Sequence, residues 1–107
     1  MPLPPELSPD ARSAALQKAA AARRQRAELK EKLKMGSLNL EELLAQAERD
    51  EVVGKMKVVA VLESLPGVGK VRARRLMEEL KISDSRRVRG LGAQQRDALK
   101  KQFPASR

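Results

Sequence analysis

Only one stretch of this chain is apolar enough to be buried nearly all round: Met56, Val58, Val59, Ala60, Val61, Leu62 and Leu65, enclosed between Gly54 and Pro66. Its valines would suit a strand. No second stretch of that character exists to pair with it, and a lone strand is unstable. The segment is therefore read as a central helix and the chain as all-α. Helical periodicity runs through the rest. Pro2, Pro4 and Pro5 make residues 1–8 an extended lead-in. Ser8, Pro9 and Asp10 form a start signal, and good helix formers continue to Lys34, which predicts a long N-terminal helix over 9–35. Its apolar stripe, Ala15, Ala19, Ala22, Leu29 and Leu33, is thin and interrupted by Arg26, so only partial docking is expected.

A compact four-helix region is expected over 37–103. Gly36 closes the first helix, and Ser37 or Asn39 opens a second whose face is Leu40, Leu43, Leu44 and Ala47. Glu48 to Glu51 and Gly54 mark a turn before the central helix. Behind Pro66-Gly67-Val68-Gly69, the residues Val71, Ala73, Leu76, Met77 and Leu80 recur at helical spacing and end around Lys81 to Ser83. A turn over 83–92 points Val88 and Leu91 inward. A last helix over 93–103 is anchored by Leu99 and Phe103 and stopped by Pro104. A length of 107 residues suits one domain.

Composition removes whole classes of chemistry. With no cysteine and no histidine, the chain lacks the usual zinc ligands, thiol nucleophiles and imidazole bases. No metal, no cofactor and no small-molecule substrate are expected, and the protein is read as a non-enzyme. No apolar run approaches the roughly 20 residues of a membrane span, and the start lacks the apolar core of a secretory signal, so a cytoplasmic location is expected. The net charge of +9 is segregated. Residues 1–51 hold nine basic and nine acidic side chains, and residues 52–107 hold fourteen basic and five acidic. A basic half is what a polyanion-binding face requires. Phe103 is the only aromatic, which rules out a stacking platform for single-stranded bases and leaves a duplex, held by its backbone, as the expected partner.

The chemistry concentrates in Leu65-Pro66-Gly67-Val68-Gly69-Lys70. Glycines on either side of one apolar residue, ahead of a helix, leave successive backbone N–H groups uncovered, which makes an anion nest. Val68 would pin the loop to the core and Pro66 fix its direction. Two glycines alone would suggest only a sharp turn; with Lys70, Arg72, Arg74 and Arg75 following, phosphate binding is favoured. A nucleotide-binding P-loop fails at two positions. Ser64 stands where its first glycine is required, and Val71 where its metal-binding hydroxyl should follow the lysine.

The run Leu65-Pro66-Gly67-Val68-Gly69-Lys70-Val71-Arg72-Ala73-Arg74-Arg75-Leu76, then Arg86-Arg87-Val88-Arg89-Gly90-Leu91-Gly92 and a closing helix, resembles a helix-two-turns-helix module spanning about 55–103. With the helices before it, the chain resembles the actinobacterial integration host factor family over nearly its whole length. That resemblance implies a nucleoid-associated protein that binds duplex DNA with little sequence preference and bends or constrains it. It also implies that the glycine hairpin and the arginine turn both face DNA.

Helical spacing separates Arg72, Arg75 and Glu79 from Ala73, Leu76, Met77 and Leu80, so these arginines must point outward. Arg74 lies between the two faces, equally suited to phosphate or to pairing with Glu78 at i+4. Arg86, Arg87 and Arg89 have Asp84 as the only acid nearby in sequence and are read as phosphate clamps. On the first helix, Lys30, Lys32 and Lys34 accompany Glu28 and Glu31 and are read as a solvated face. Arg23, Arg24 and Arg26, lacking a close acid on their N-terminal side, are candidates for a second DNA contact. A monomer is expected.

Two other readings compete. A DNA glycosylase also uses this module and begins with a nucleophilic proline, as Pro2 would suggest, but Leu3 stands where its glutamate is expected and no zinc-finger cysteines exist. A small-subunit ribosomal protein resembles residues 57–103, but such proteins usually carry long, very basic tails, whereas the N-terminal half here is neutral.

Overall fold

The computed structural model describes residues 9–103. The lead-in expected over 1–8, with its Ser8 cap, and the stop at Pro104 lie outside the described residues. Six α-helices and one 3-10 turn follow in order: α1 (Pro9–Met35), α2 (Leu40–Ala47), α3 (Glu51–Gly54), α4 (Val58–Ser64), α5 (Gly69–Glu79), the turn Val88–Gly90, and α6 (Ala93–Gln102). Among the described residues there is no strand, as the lone apolar segment requires.

Helix α1 docks by its C-terminal half alone. Leu29 and Leu33 are buried, Ala22 is half-buried, and Ala15 and Ala19 are exposed. The docked half rests on α3 and α4, and Gln25 Nε2 donates to Asp50 Oδ2 at 2.6 Å. The projecting half explains why the radius of gyration is 16.4 Å, against ~13 Å for a compact chain of similar length.

Asn39, of the two residues that the sequence leaves open, caps α2. Its Oδ1 accepts the Glu42 N–H at 2.8 Å while Glu42 Oε1 accepts the Asn39 N–H at 3.0 Å, a reciprocal capping box. The stretch expected to be only a turn forms α3. Asp50 makes this possible by accepting the N–H groups of Val52 and Val53 at 2.9 and 3.4 Å. Gly54 ends that helix against the rest of the molecule. A Cβ there would lie 3.1 Å from the Ala47 carbonyl oxygen and 3.3 Å from Arg89 Cβ.

The central helix α4 buries Val58, Val61 and Leu62, but Val59 and Ala60 are only half-buried, so it is not enclosed all round. It stops where a proline dictates: Leu65, preceding Pro66, is extended at φ −70°, ψ 142°. In α5, Ala73, Leu76 and Met77 are buried. Val71, expected inward, is 72% exposed. The helix begins at Gly69, and Val71 falls on the i, i+3, i+4 row with Arg74 and Arg75 rather than on the row of Ala73 and Met77.

Lys81 reverses the chain after α5 with φ +58°. Its N–H bonds the Glu78 carbonyl at 3.2 Å, and the Ile82 N–H bonds the Met77 carbonyl at 2.8 Å. This left-handed cap turns Ile82 into the core. Val88 and Leu91 are buried as expected. Two main-chain bonds fasten this second turn to the start of α4: Val58 N–H to the Arg86 carbonyl at 3.0 Å, and Val88 N–H to the Met56 carbonyl at 2.9 Å. Gln95 binds α6 back to the end of α5, accepting the Gly92 N–H at 3.0 Å and donating to the Lys81 carbonyl at 3.2 Å. Leu33, Leu43, Leu62, Met77 and Leu99 meet in one core.

Two outcomes follow. A lysine held left-handed is strained by about 1 kcal/mol, so Lys81→Gly should raise stability by roughly 0.5–1 kcal/mol in urea unfolding. At Asp50, burial opposes ionisation, but hydrogen bonds from Gln25 and the Val53 and Val52 amides outweigh it and hold the carboxyl below its ordinary value of 3.8. The native pKa is depressed, so this stabilisation is complete above the unfolded value and lost as pH falls through the native one. Asp50→Ala should therefore cost about 1 kcal/mol at pH 7. In thermal unfolding followed to low pH, the gap to the parent protein should narrow below roughly pH 4.

Candidate nucleic-acid interface

The hairpin between α4 and α5 has the geometry its sequence suggested. Backbone φ runs +76° at Gly67, −86° at Val68 and +70° at Gly69. Alternation of left- and right-handed residues turns consecutive N–H groups toward one concavity. Side chains would be strained at either glycine, and a Cβ built there meets nothing within 4 Å, so the space in front of the hairpin is open. Val68 is buried at 7% exposure and its N–H closes onto the Leu65 carbonyl at 3.2 Å. Among the described residues, the N–H groups of Gly67, Gly69 and Lys70 have no protein acceptor within the hairpin. Those of Gly69 and Lys70 also belong to the unsatisfied first turn of α5, whose positive end adds to the attraction for an anion. Pro66 and Lys70 are exposed.

On α5, Arg72, Arg74 and Arg75 are all exposed, but they do not act as one set. The Arg72 guanidinium lies 5.9 Å from the centre of the Phe103 ring, at the outer limit for a cation–π contact. Arg74 Nη1 lies 4.0 Å from Asp84 Oδ2, both largely exposed. Its acid partner is thus Asp84 across the loop, not Glu78 along the helix. The pair is weak at that distance and leaves most of the fork available.

The second turn is better ordered. Arg86 Nη1 donates to the Gly90 carbonyl at 2.6 Å, and Arg87 Nη1 donates to the Lys55 carbonyl. A guanidinium has five donors, so each side chain is positioned by one bond and keeps the others free. Arg89 is exposed and packs its Cβ over Gly54. Asp84, the acid nearest in sequence, belongs to Arg74. The carboxyl that feels Arg89 is Glu51, which is held below its usual range chiefly by its hydrogen bond and ion pair with Lys55, with Arg89 a lesser contribution.

Of the candidates on α1, Arg26 is half-buried and shares a cleft with Arg87, while Arg23 and Arg24 are exposed. Sequence reasoning missed the supports. The Lys55 carbonyl that anchors Arg87 and the glycine gap at Gly54 beneath Arg89 are main-chain features with no side-chain signature. Ile82, an isolated apolar residue after a helix, was the one readable hint of the α5 cap. Among the described residues no group of acidic, histidine or cysteine side chains could hold a metal ion.

Comparison with known proteins agrees with this arrangement. The family described as S13-like H2TH domain matches residues 33–103. The integration host factor of Streptomyces coelicolor is 59% identical over 103 residues, 96% of this chain and 95% of its own. That of Mycobacterium tuberculosis is 60% identical over 99 residues, 92% of this chain and 94% of its own. A solved structure described as sIHF bound to an 8 bp palindromic DNA superposes with a TM-score of 0.79 at 59% identity, covering 81% of this chain and 98% of that one. An all-helical chain with a glycine hairpin ahead of α5 and an arginine turn ahead of α6, matched to such relatives over almost its full length, belongs to the integration host factor family.

Proposed function

We propose that this protein binds duplex DNA through the phosphate backbone with little sequence preference, constraining or bending it as a nucleoid-associated protein of the cytoplasm without catalysing a reaction. The observation that carries this reading is the left–right–left backbone of Gly67, Val68 and Gly69, open to solvent and followed by Lys70. An amide nest recognises a phosphate oxygen and carries no base information. Arg86 and Arg87 then supply guanidinium groups held at a second point by the fold, and Arg89 adds a third beside them. Arg72, Arg74 and Arg75 add charge on the exposed side of α5. Arg23, Arg24 and Arg26 offer a second contact. A solved relative at 59% identity is described as bound to palindromic DNA, which supports a duplex as partner over folded RNA. No described helix is long and apolar enough to cross a membrane.

Some six to eight cationic contacts would give log K against log salt a slope near −5 to −7, at about −0.9 per phosphate. Arg86→Ala combined with Arg87→Ala should weaken binding to unrelated duplexes alike and flatten the slope by roughly 2. Salt-titrated gel shifts read both, and a loss confined to one sequence contradicts the proposal. Gly69→Ala forces a side chain into the left-handed region and into the open space before the nest. It should reduce affinity by about ten-fold or more with little change of slope, because a neutral amide contact is lost and no charge is.

A further inference from the structure

Where the C-terminal half of α1 crosses the start of α4, a cleft of about 390 Å³ opens beside the second turn. Three separate parts of the chain wall it with cations: Arg26 and Lys30 from α1, Lys55 and Lys57 from the α3–α4 connection, and Arg87 from the second turn. Met56 and Ala60 form its floor, and no carboxylate lines it. Lys55 has a local counter-charge, its Nζ lying 3.0 Å from Glu51 Oε1. Among the described residues no ion pair reaches Arg26, Lys30, Lys57 or Arg87. The neighbouring cleft on the hairpin side, which also contains Lys30, carries the carboxylates of Glu31 and Glu63. The acid-free lining is therefore not a general feature of the α1 surface.

Like charges brought together by three segments repel unless an anion enters between them. The backbone of the walls is fixed in place. The Arg87 side chain is held to the Lys55 carbonyl, and the main chain of Lys57 is bridged to that of Arg87, so the segments that carry the cations do not need to be brought together when a ligand arrives. The volume falls in the range of small-ligand sites. Along a DNA strand the phosphates are separated by sugars, and the duplex presents a convex rod. Phosphates joined directly to one another place more charge in less space and suit a concave site with cations on several sides.

We propose that this cleft binds the phosphate chain of a free polyphosphate, inorganic or carried by a nucleotide, and that the bound chain competes with DNA for Arg87. This builds on the DNA-binding reading through Arg87 alone; binding of the free chain by Arg26, Lys30 and Lys57 does not depend on it.

The test is calorimetric titration of the full chain with inorganic tripolyphosphate and with ATP at constant ionic strength, alongside Lys30→Gln/Lys57→Gln. Both positions are exposed on the surface, and circular dichroism verifies that the variant is folded. Saturable binding of tripolyphosphate at one site, weakened about ten-fold or more in the variant, is the expected result. ATP binding with similar affinity assigns the chain alone as the ligand, and tighter ATP binding assigns a nucleotide. A gel shift at fixed ionic strength gives the second readout. Tripolyphosphate should displace DNA from the parent protein, and the variant should keep DNA binding within about three-fold while losing that displacement. Two results overturn the proposal. One is the absence of saturable binding, or binding indifferent to the substitutions. The other is a variant that loses DNA affinity as severely as Arg86→Ala/Arg87→Ala, which would make the cleft part of the duplex-binding surface. If DNA binding itself fails in the parent protein, the calorimetric arm still decides whether the cleft takes a polyphosphate.

Discussion

Two main-chain hydrogen bonds, Val58 N–H to the Arg86 carbonyl and Val88 N–H to the Met56 carbonyl, join the start of the central helix to the turn ahead of the last one. Helices carry their hydrogen bonds within themselves and leave connecting turns free to move. Here the second turn is sewn to the first residues of α4, whose last residues lead directly into the glycine hairpin. One seven-residue helix thus has the glycine hairpin at one end and an arginine turn fastened to the other. The spacing between the two is set by a rigid rod and not by a loop.

The same logic explains why cations so close together are tolerated. Arg86 and Arg87 each spend one donor on a backbone carbonyl, and the acids in the region are drawn elsewhere. Asp84 leans toward Arg74 and Glu51 is held by Lys55. What remains is a surface whose charge is unneutralised by the protein and whose side chains have already lost much of their rotational freedom. Such a surface suits a ligand that is uniformly anionic along its length and gives little basis for telling one base pair from another.

Much of this was legible in the sequence, and for physical reasons. A single apolar stretch favoured an all-helical answer, and Gly67 and Gly69 permitted the left-handed backbone that the hairpin adopts there. The thin stripe of α1, interrupted at Arg26, implied partial docking; that Leu29 and Leu33 dock while Ala15 and Ala19 do not came from the structure. The missing pieces were those in which tertiary contact outranks local signal. Asp50 converts an acidic turn into α3 through bonds to Val52 and Val53 that no periodicity reveals. Val71 is apolar but sits on the outward row of α5. The left-handed Lys81, which swings Ile82 inward, has none of the glycine that usually announces such a reversal. At the interface, residue types were readable while their partners were not: Arg72 over Phe103, Arg74 beside Asp84 and Arg87 on the Lys55 carbonyl all depend on chain crossings.

Proton–nitrogen correlation spectra of the ¹⁵N-labelled protein, recorded while a short duplex is added, bear most directly on whether the hairpin grips phosphate through its main chain. The amide protons of Gly67 and Gly69 should move downfield together and saturably, as they gain charged acceptors, while those of Val58 and Val88 stay in place because their bonds are already made. Unmoved glycine amides in a protein fully bound to DNA would contradict the account.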